Sequence, residues 1–443
     1  MEKLFQEFDK ASIDQWLEQI HADLKGKSDQ ILVSEPEKDI RIKAFYHNDE
    51  APYGTHPIGR STTGWINRKF YNDVTNKLIL NDLNEGINGL SLQYTNQVSF
   101  DELTKGVQFE HIQADVSFED ALAASAFIGP SSIILNLDLI ALGLKSGEWK
   151  HEAGDYLKFF NYQDKNKTVW ISGSIYGEAG ASTVQELAFT LNHLNEHIQL
   201  LVDNGKSLAE INEKICIELS ITDDFFMNIA KFKLIRQLVP LVFEAYDPTY
   251  EVKEFLVFGK TSQRYLTLND SNNNLLRQTT EAMSAIIGGC NSITVQPLST
   301  GDYDKDEIYK RMAKNIPLIL QEESHLDKVS DAAEGSYYVE HLCAQVENRA
   351  WELFKSIEKQ GGLMAAIEKN IVQDQIAENR NYLIEAMNNK TKTVLGVNKY
   401  PSTLENWKEI TNPETRSGSQ FKPLGVFRIE DFFKKEVHEQ SKL

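Results

Sequence analysis

Cysteine is scarce. Cys216, Cys290 and Cys343 are the only three in 443 residues, widely spaced and without a C-x-x-C pair. An odd, dispersed set makes neither a disulfide framework nor a zinc site, and it suits a reducing, cytoplasmic compartment. Long apolar runs are missing too. No stretch reaches the roughly 18 residues a membrane-spanning helix needs. The N-terminal MEKLFQEFDKASIDQWLEQI is charged and amphipathic, with no apolar core of a secretory leader. Positive charge is in deficit: 46 Lys and Arg stand against 65 Asp and Glu, for a formal net charge of −19. No basic stripe is left to displace counterions from nucleic acid. A soluble protein with no membrane or nucleic-acid partner is expected. What is present is an ordinary globular stock, 41% apolar and 25% charged, enough for a large core.

Along the chain, residues 4–25 place Leu4, Phe5, Phe8, Ile13, Trp16, Leu17 and Ile20 at helical spacing, and Gly26 is a stop. Residues 27–70 read as an extended, turn-rich arm punctuated by Pro36, Pro52, Gly54, Pro57, Gly59 and Gly64. Short apolar or alternating runs then appear at 88–93, 107–113, 132–138, 167–173, 215–220, 253–258, 292–297 and 325–330. Helical stretches separate most of them, among them 182–203, 223–240, 272–287 and 304–322. This alternation predicts parallel β-α units, and eight strands close a (β/α)8 TIM barrel. An open doubly wound sheet is the alternative. A helical part follows to about residue 388. The divisions expected are a helix and arm over 1–70, the barrel and its following helices over 71–400, and a tail over 401–443.

Generic motifs fail on inspection. EFLVFGKTS (254–262) puts Gly-Lys-Thr after an apolar strand, but Glu254 stands where a phosphate loop needs its first glycine. DYDKDE (302–307) has calcium-loop carboxylate spacing, but Glu307 replaces the turn glycine and Ala313 the bidentate glutamate, so it reads as a solvated helix start. His193 and His197 lie one helical turn apart with no glutamate next to His193 and no obvious third ligand, and read as exposed helix-face histidines. No metal site is expected.

Five longer segments carry more: ISGSIYGEAGAS (171–182), DDFFMNIAK (223–231), TSQRYLTLND (261–270), RMAKNIPLILQEESHLDKVSDAAEGSYYVE (311–340) and GVNKYP (396–401). In this order they resemble the acyl-CoA-binding barrel of methylmalonyl-CoA mutase and related cobalamin-dependent acyl-CoA mutases. The resemblance implies a barrel wrapped around the arm of a CoA thioester, with adenosylcobalamin brought onto its mouth by a flavodoxin-like domain. The cofactor supplies the radical, and the protein excludes water and holds reactive species still.

Residue by residue, the functional positions depart. Catalytic relatives carry Tyr-His-Met-Gln where this chain has Ser174, Ile175, Tyr176 and Gly177, so Ile175 takes the place of the active-site histidine. GWINRKFYN (64–72) resembles the family's WTIRQYAGF and puts Phe70 where a tyrosine faces the reacting centre. Residues 139–166 hold no arginine for a substrate carboxylate. Glu218 replaces an arginine and would repel an anionic CoA. Gln263, Arg264 and Tyr265 fill a place the family keeps small. These positions, with Tyr176, define a vestigial barrel pocket: Phe70, Ile175, Tyr176, Glu218, Gln263 and Arg264. Glu178 is expected to support its loop. No catalytic residue is expected in this chain.

The family's cobalt-ligating Asp-x-His-x-x-Gly is also missing after GVNKY, where the sole histidine, His438, sits in another context. No cobalamin-binding domain is expected here. The combination resembles the non-catalytic subunits of heterodimeric members of the family, which pair with a catalytic large subunit that binds adenosylcobalamin. An acyl-CoA-binding regulator and a self-standing enzyme with a repurposed pocket are the alternatives.

Overall fold

In the computed structural model, residues 11–50, 60, 62–72, 74–94, 99–163, 165–400 and 419–432 are described. Eight parallel strands form the centre: β1 Ile66–Tyr71, β2 Gly89–Gln93, β3 Gln113–Ser117, β4 Ile134–Asn136, β5 Val169–Ser172, β6 Ile215–Ile221, β7 Leu256–Thr261 and β8 Ser292–Thr294. Their order is β4-β3-β2-β1-β8-β7-β6-β5. A single parallel bridge, Ile134 to Lys167, joins the two ends and all but closes the ring. This is the (β/α)8 barrel. β6, ICIELSI, shows why it forms: every residue but Glu218 is buried, as a parallel strand covered on both faces requires.

The strand count agrees with the sequence reading, but two of its members differ. β1 falls within the stretch expected as the end of the arm, because Asn67, Arg68 and Lys69 interrupt its apolar alternation. The strand nonetheless pairs with β2 and β8; Arg68 finds its partners inside the barrel, while Asn67 and Lys69 reach Lys314 O and Asp82 on the surrounding helices. The run 325–330 is instead a short 3-10 turn, Leu326–Lys328, with no fully buried residue. The third strand begins where the run 107–113 ends; Val107, Phe109 and Ile112 pack against the core as a loop.

The helices follow the apolar periodicity closely and their caps explain several of the quoted segments. Asp224 accepts from Met227 N to start the helix Phe225–Glu244, and Ser336 caps Tyr337–Lys359. Asp302 caps Tyr303–Glu322, the solvated start expected of DYDKDE. Ser182 and Gln185 form a capping box for Thr183–Asp203. The N-terminal helix spans Ile13–Asp23; residues 1–10 lie outside the described residues. No helix among the described residues is long and apolar enough to cross a membrane.

After the helices Gly362–Glu368 and Ile371–Asn388, residues 419–432 form a strap. Phe421 N donates to Gly147 O, Leu424 N to Leu144 O, Phe427 N to Glu178 O and Ile429 N to Arg264 O, at 2.7–3.1 Å. These carbonyls belong to segments that follow β4, β5 and β7. The strap therefore crosses the C-terminal mouth of the barrel, the face on which such barrels carry their chemistry.

Candidate functional site

The mouth encloses a cavity of about 470 Å3. Phe70 at the end of β1, Ser174 and Ile175 after β5, Glu218 on β6, and Lys260 and Gln263 on and after β7 line it. Leu424, Gly425 and Val426 of the strap form its roof.

Its floor is an ion-pair network that the sequence reading did not single out. Arg68 on β1 donates to Asp115 at 3.0 Å, to Glu218 at 2.8 Å and to Thr294 at 2.8 Å. The guanidinium lies over the rings of Phe258 and Trp170, at 4.5 and 5.6 Å. Ser91 donates to Asp115, and Ser174 to the second oxygen of Glu218. Burial alone would raise the Glu218 carboxyl, but Lys260 and Arg68 outweigh it and hold it below the usual range. Burial wins at Asp115, whose carboxyl is raised despite Arg68 and Ser91. Glu218 is thus tied to Arg68 and presents no bare negative charge, contrary to the repulsion expected from the sequence. Flanked by Asn67 and Lys69 in a polar strand centre, Arg68 carries no distinguishing signal in the sequence.

The structure brings four of the six pocket residues together: Phe70, Ile175, Glu218 and Gln263. Tyr176 and Arg264 turn away. The helix Ser174–Glu178 rotates about 100° per residue, so when Ile175 faces the cavity Tyr176 points into the core, where its hydroxyl meets His193 Nδ1 at 3.2 Å. Arg264, 4% exposed, instead donates to Gly177 O and Ala181 O. Tyr265 is likewise buried, against Leu383, Met387 and Phe427. Glu178 accepts from Gln263 N and Ser262 Oγ and so supports its loop; burial, opposed by Lys260, raises its carboxyl. Gly177 is required by contact, since a Cβ there would sit 2.0 Å from Ser220 Oγ. Gly180 is required by its backbone, at φ +106°.

His193 and His197 are not exposed. They are 0% and 4% accessible, because the helix Thr183–Asp203 is covered by β5 and by the C-terminal helices. Asp138, after β4, is the third member that the spacing did not reveal: ligand-capable atoms of the three lie within 4.8 Å of one another. Asp138 accepts from Ala141 N, Ser172 N and His193 Nε2. Burial would raise the Asp138 carboxyl, but His193 outweighs it and the carboxylate stays well below its ordinary range. His193 thus spans the Asp138 carboxylate at Nε2 and the Tyr176 hydroxyl at Nδ1. With both Asp138 oxygens and both His193 nitrogens engaged, the cluster works as a hydrogen-bond relay tying helix Ser174–Glu178 to β4.

A second buried pair explains another of the quoted segments. Lys231, the last residue of DDFFMNIAK, donates to Glu186 at 2.7 Å. Glu186 also accepts from Ser220 N and Oγ. Lys260 lies within strand β7 rather than in a loop, so Gly-Lys-Thr forms no phosphate cradle. All three cysteines are free and buried.

Comparison with known proteins places this geometry. The methylmalonyl-CoA mutase small subunit of Porphyromonas gingivalis is 28% identical over 447 residues, covering 91% of this chain and 72% of that protein. That of Propionibacterium freudenreichii subsp. shermanii is 27% identical, over 89% of this chain and 69% of its own. The methylmalonyl-CoA mutase of Escherichia coli is 33% identical over 241 residues, 53% of this chain and 33% of the relative. Residues 151–431, from the helices after β4 through the strap, match the profile of the methylmalonyl-CoA mutase family. With the barrel, the ordered segments and this match in agreement, the chain belongs to the methylmalonyl-CoA mutase family.

Proposed function

We propose that this chain is the non-catalytic small subunit of a heterodimeric methylmalonyl-CoA mutase, and that it stabilises a large subunit which interconverts methylmalonyl-CoA and succinyl-CoA. The observation that carries the reading is Ile175. It faces the cavity at the barrel mouth with a side chain that can neither donate a hydrogen bond nor move a proton. Phe70, on the same wall, offers an apolar ring and no hydroxyl.

Adenosylcobalamin does not fit the residues present here. The mouth is roofed by Leu424, Gly425 and Val426, and among the described residues no histidine lines the cavity to ligate cobalt. In this reading the cofactor is held by the large subunit, and no chemical step is assigned to this chain. The small-subunit relatives support a partner of the same family.

A second reading is favoured by one observation. The cavity keeps Lys260, Glu218 and Ser174 on its wall, which suits a barrel that binds an acyl-CoA as a regulator or turns over a substrate of its own.

Size-exclusion chromatography with light scattering separates the two readings. Mixed with its large subunit, the chain should elute as a 1:1 complex and raise that subunit's melting temperature, as binding to the native state requires. Two non-interacting species at micromolar concentration would remove the structural-subunit reading and leave the second.

A further inference from the structure

Beside the barrel cavity lies a larger groove of about 810 Å3, between the helix Leu139–Ser146 and the strap. Its size falls within the range of about 300–1,000 Å3 typical of small-molecule sites. The two spaces share Glu119, Leu142, Lys145, Gly425 and Val426 on their walls, so they adjoin. Charge sets the groove apart. In a chain of net charge −19, Lys145, His151, Arg380 and Arg428 all face it. Among the described residues, none of these four has a carboxylate oxygen within 4.0 Å, although Glu119 and Asp431 also lie on the wall.

The two guanidinium groups are held in place by uncharged partners. Arg380 Nε donates to Ala179 O, and its head lies 5.5 Å from the Phe427 ring centre. Arg428 Nη2 donates to Gln263 Oε1 at 2.9 Å. Burial and the nearby Arg264 pull Arg380 below the ordinary arginine range, as expected of a cation that lacks a counter-charge. Each head keeps further N–H donors. Fixed, partly desolvated guanidinium groups without a carboxylate suit phosphate oxygens, which they can engage bidentately. Leu142, Val426, Phe427 and Phe432 supply an apolar wall beside them.

We propose that this groove binds a phosphate-bearing organic anion of nucleotide size, its phosphates on Lys145, Arg380 and Arg428 and its organic part against Val426 and the two phenylalanines. The inference stands independently of the subunit reading, because it concerns this chain alone.

The test is isothermal titration of the full chain with inorganic pyrophosphate and with ADP at physiological salt. Both should bind 1:1, with ADP the tighter because only it can use the apolar wall. Lys145→Ala, on a surface helix end, should weaken both about tenfold, and Arg428→Gln should do the same. Circular dichroism melting checks that each variant is folded. Glu119→Gln, which removes a negative charge from the wall, should bind at least as tightly as the parent. Absence of saturable heat with either probe at millimolar concentration would overturn the proposal. So would ADP binding that neither cation variant weakens. Pyrophosphate binding as tightly as ADP would overturn the assignment of the apolar wall.

Discussion

His197 makes stability depend on pH. Its Nδ1 donates to His193 O, and Tyr156 packs edge-on against its ring at 4.8 Å. Burial, helped by His193, lowers its pKa from 6.5 to about 4. Between those values the unfolded chain binds a proton that the native chain does not, so stability is complete above the unfolded value and falls as pH drops toward the folded one. The loss should be about 2 kcal/mol between neutral pH and about pH 5, and His197→Gln should flatten that slope in urea melts. An unchanged slope would mean that another group sets the pH response. The Lys231–Glu186 pair acts differently, through desolvation. Both side chains are 1% exposed, so Lys231→Met leaves Glu186 buried without its cation and should cost roughly 3–5 kcal/mol. Adding Glu186→Gln should recover part of that loss; chemical denaturation of the single and double variants measures both.

At the scale of elements, the strap depends on Glu430. This carboxylate is 1% exposed and accepts from Leu268 N, Asn269 N and Asn269 Nδ2. Glu430→Ala leaves these donors without an acceptor, at about 1–3 kcal/mol each. The expected outcome is local. Hydrogen exchange should accelerate at Phe421, Leu424, Phe427 and Ile429 while the strands keep their protection; loss of protection throughout would make the strap part of the global core. The strap also shows where sequence reading stops. Helices such as Thr183–Asp203 and Tyr303–Glu322 announce themselves by periodicity and caps. β1 does not, because its middle is polar and its partners Asp115, Glu218 and Thr294 come from other strands. Likewise the departures Ile175 and Phe70 are visible in the sequence. Which neighbours turn inward is not, since Tyr176 and Arg264 are oriented by His193 and by the carbonyls of Gly177 and Ala181. The burial of His193 and His197 is not legible in their spacing, because it comes from elements far along the chain, the helices Tyr337–Lys359 and Gly362–Glu368.

For the whole molecule, the roof and the lining act together. Ile175→His with Phe70→Tyr should not create mutase turnover, even with a cobalamin-binding domain and adenosylcobalamin supplied separately. The strap would still cover the mouth, the segment 139–166 would still lack an arginine, and groups that act as a unit are strongly non-additive. A coupled assay for succinyl-CoA decides it: turnover reaching a few per cent of that of a catalytic relative would show that the lining alone separates this barrel from its active kin.

The three thiols sit in three different layers: Cys216 on β6 inside the barrel, Cys290 just before β8, and Cys343 on the helix Tyr337–Lys359. Burial pushes them up to about 12, 11 and 12 respectively, and only a thiolate that meets solvent alkylates quickly. Native protein should therefore react slowly with a maleimide, and an opening event that exposes a thiol should be recorded covalently. Pulse labelling followed by peptide mass spectrometry turns these cysteines into three built-in clocks, which time the breathing of the inner ring, its rim and the outer shell separately.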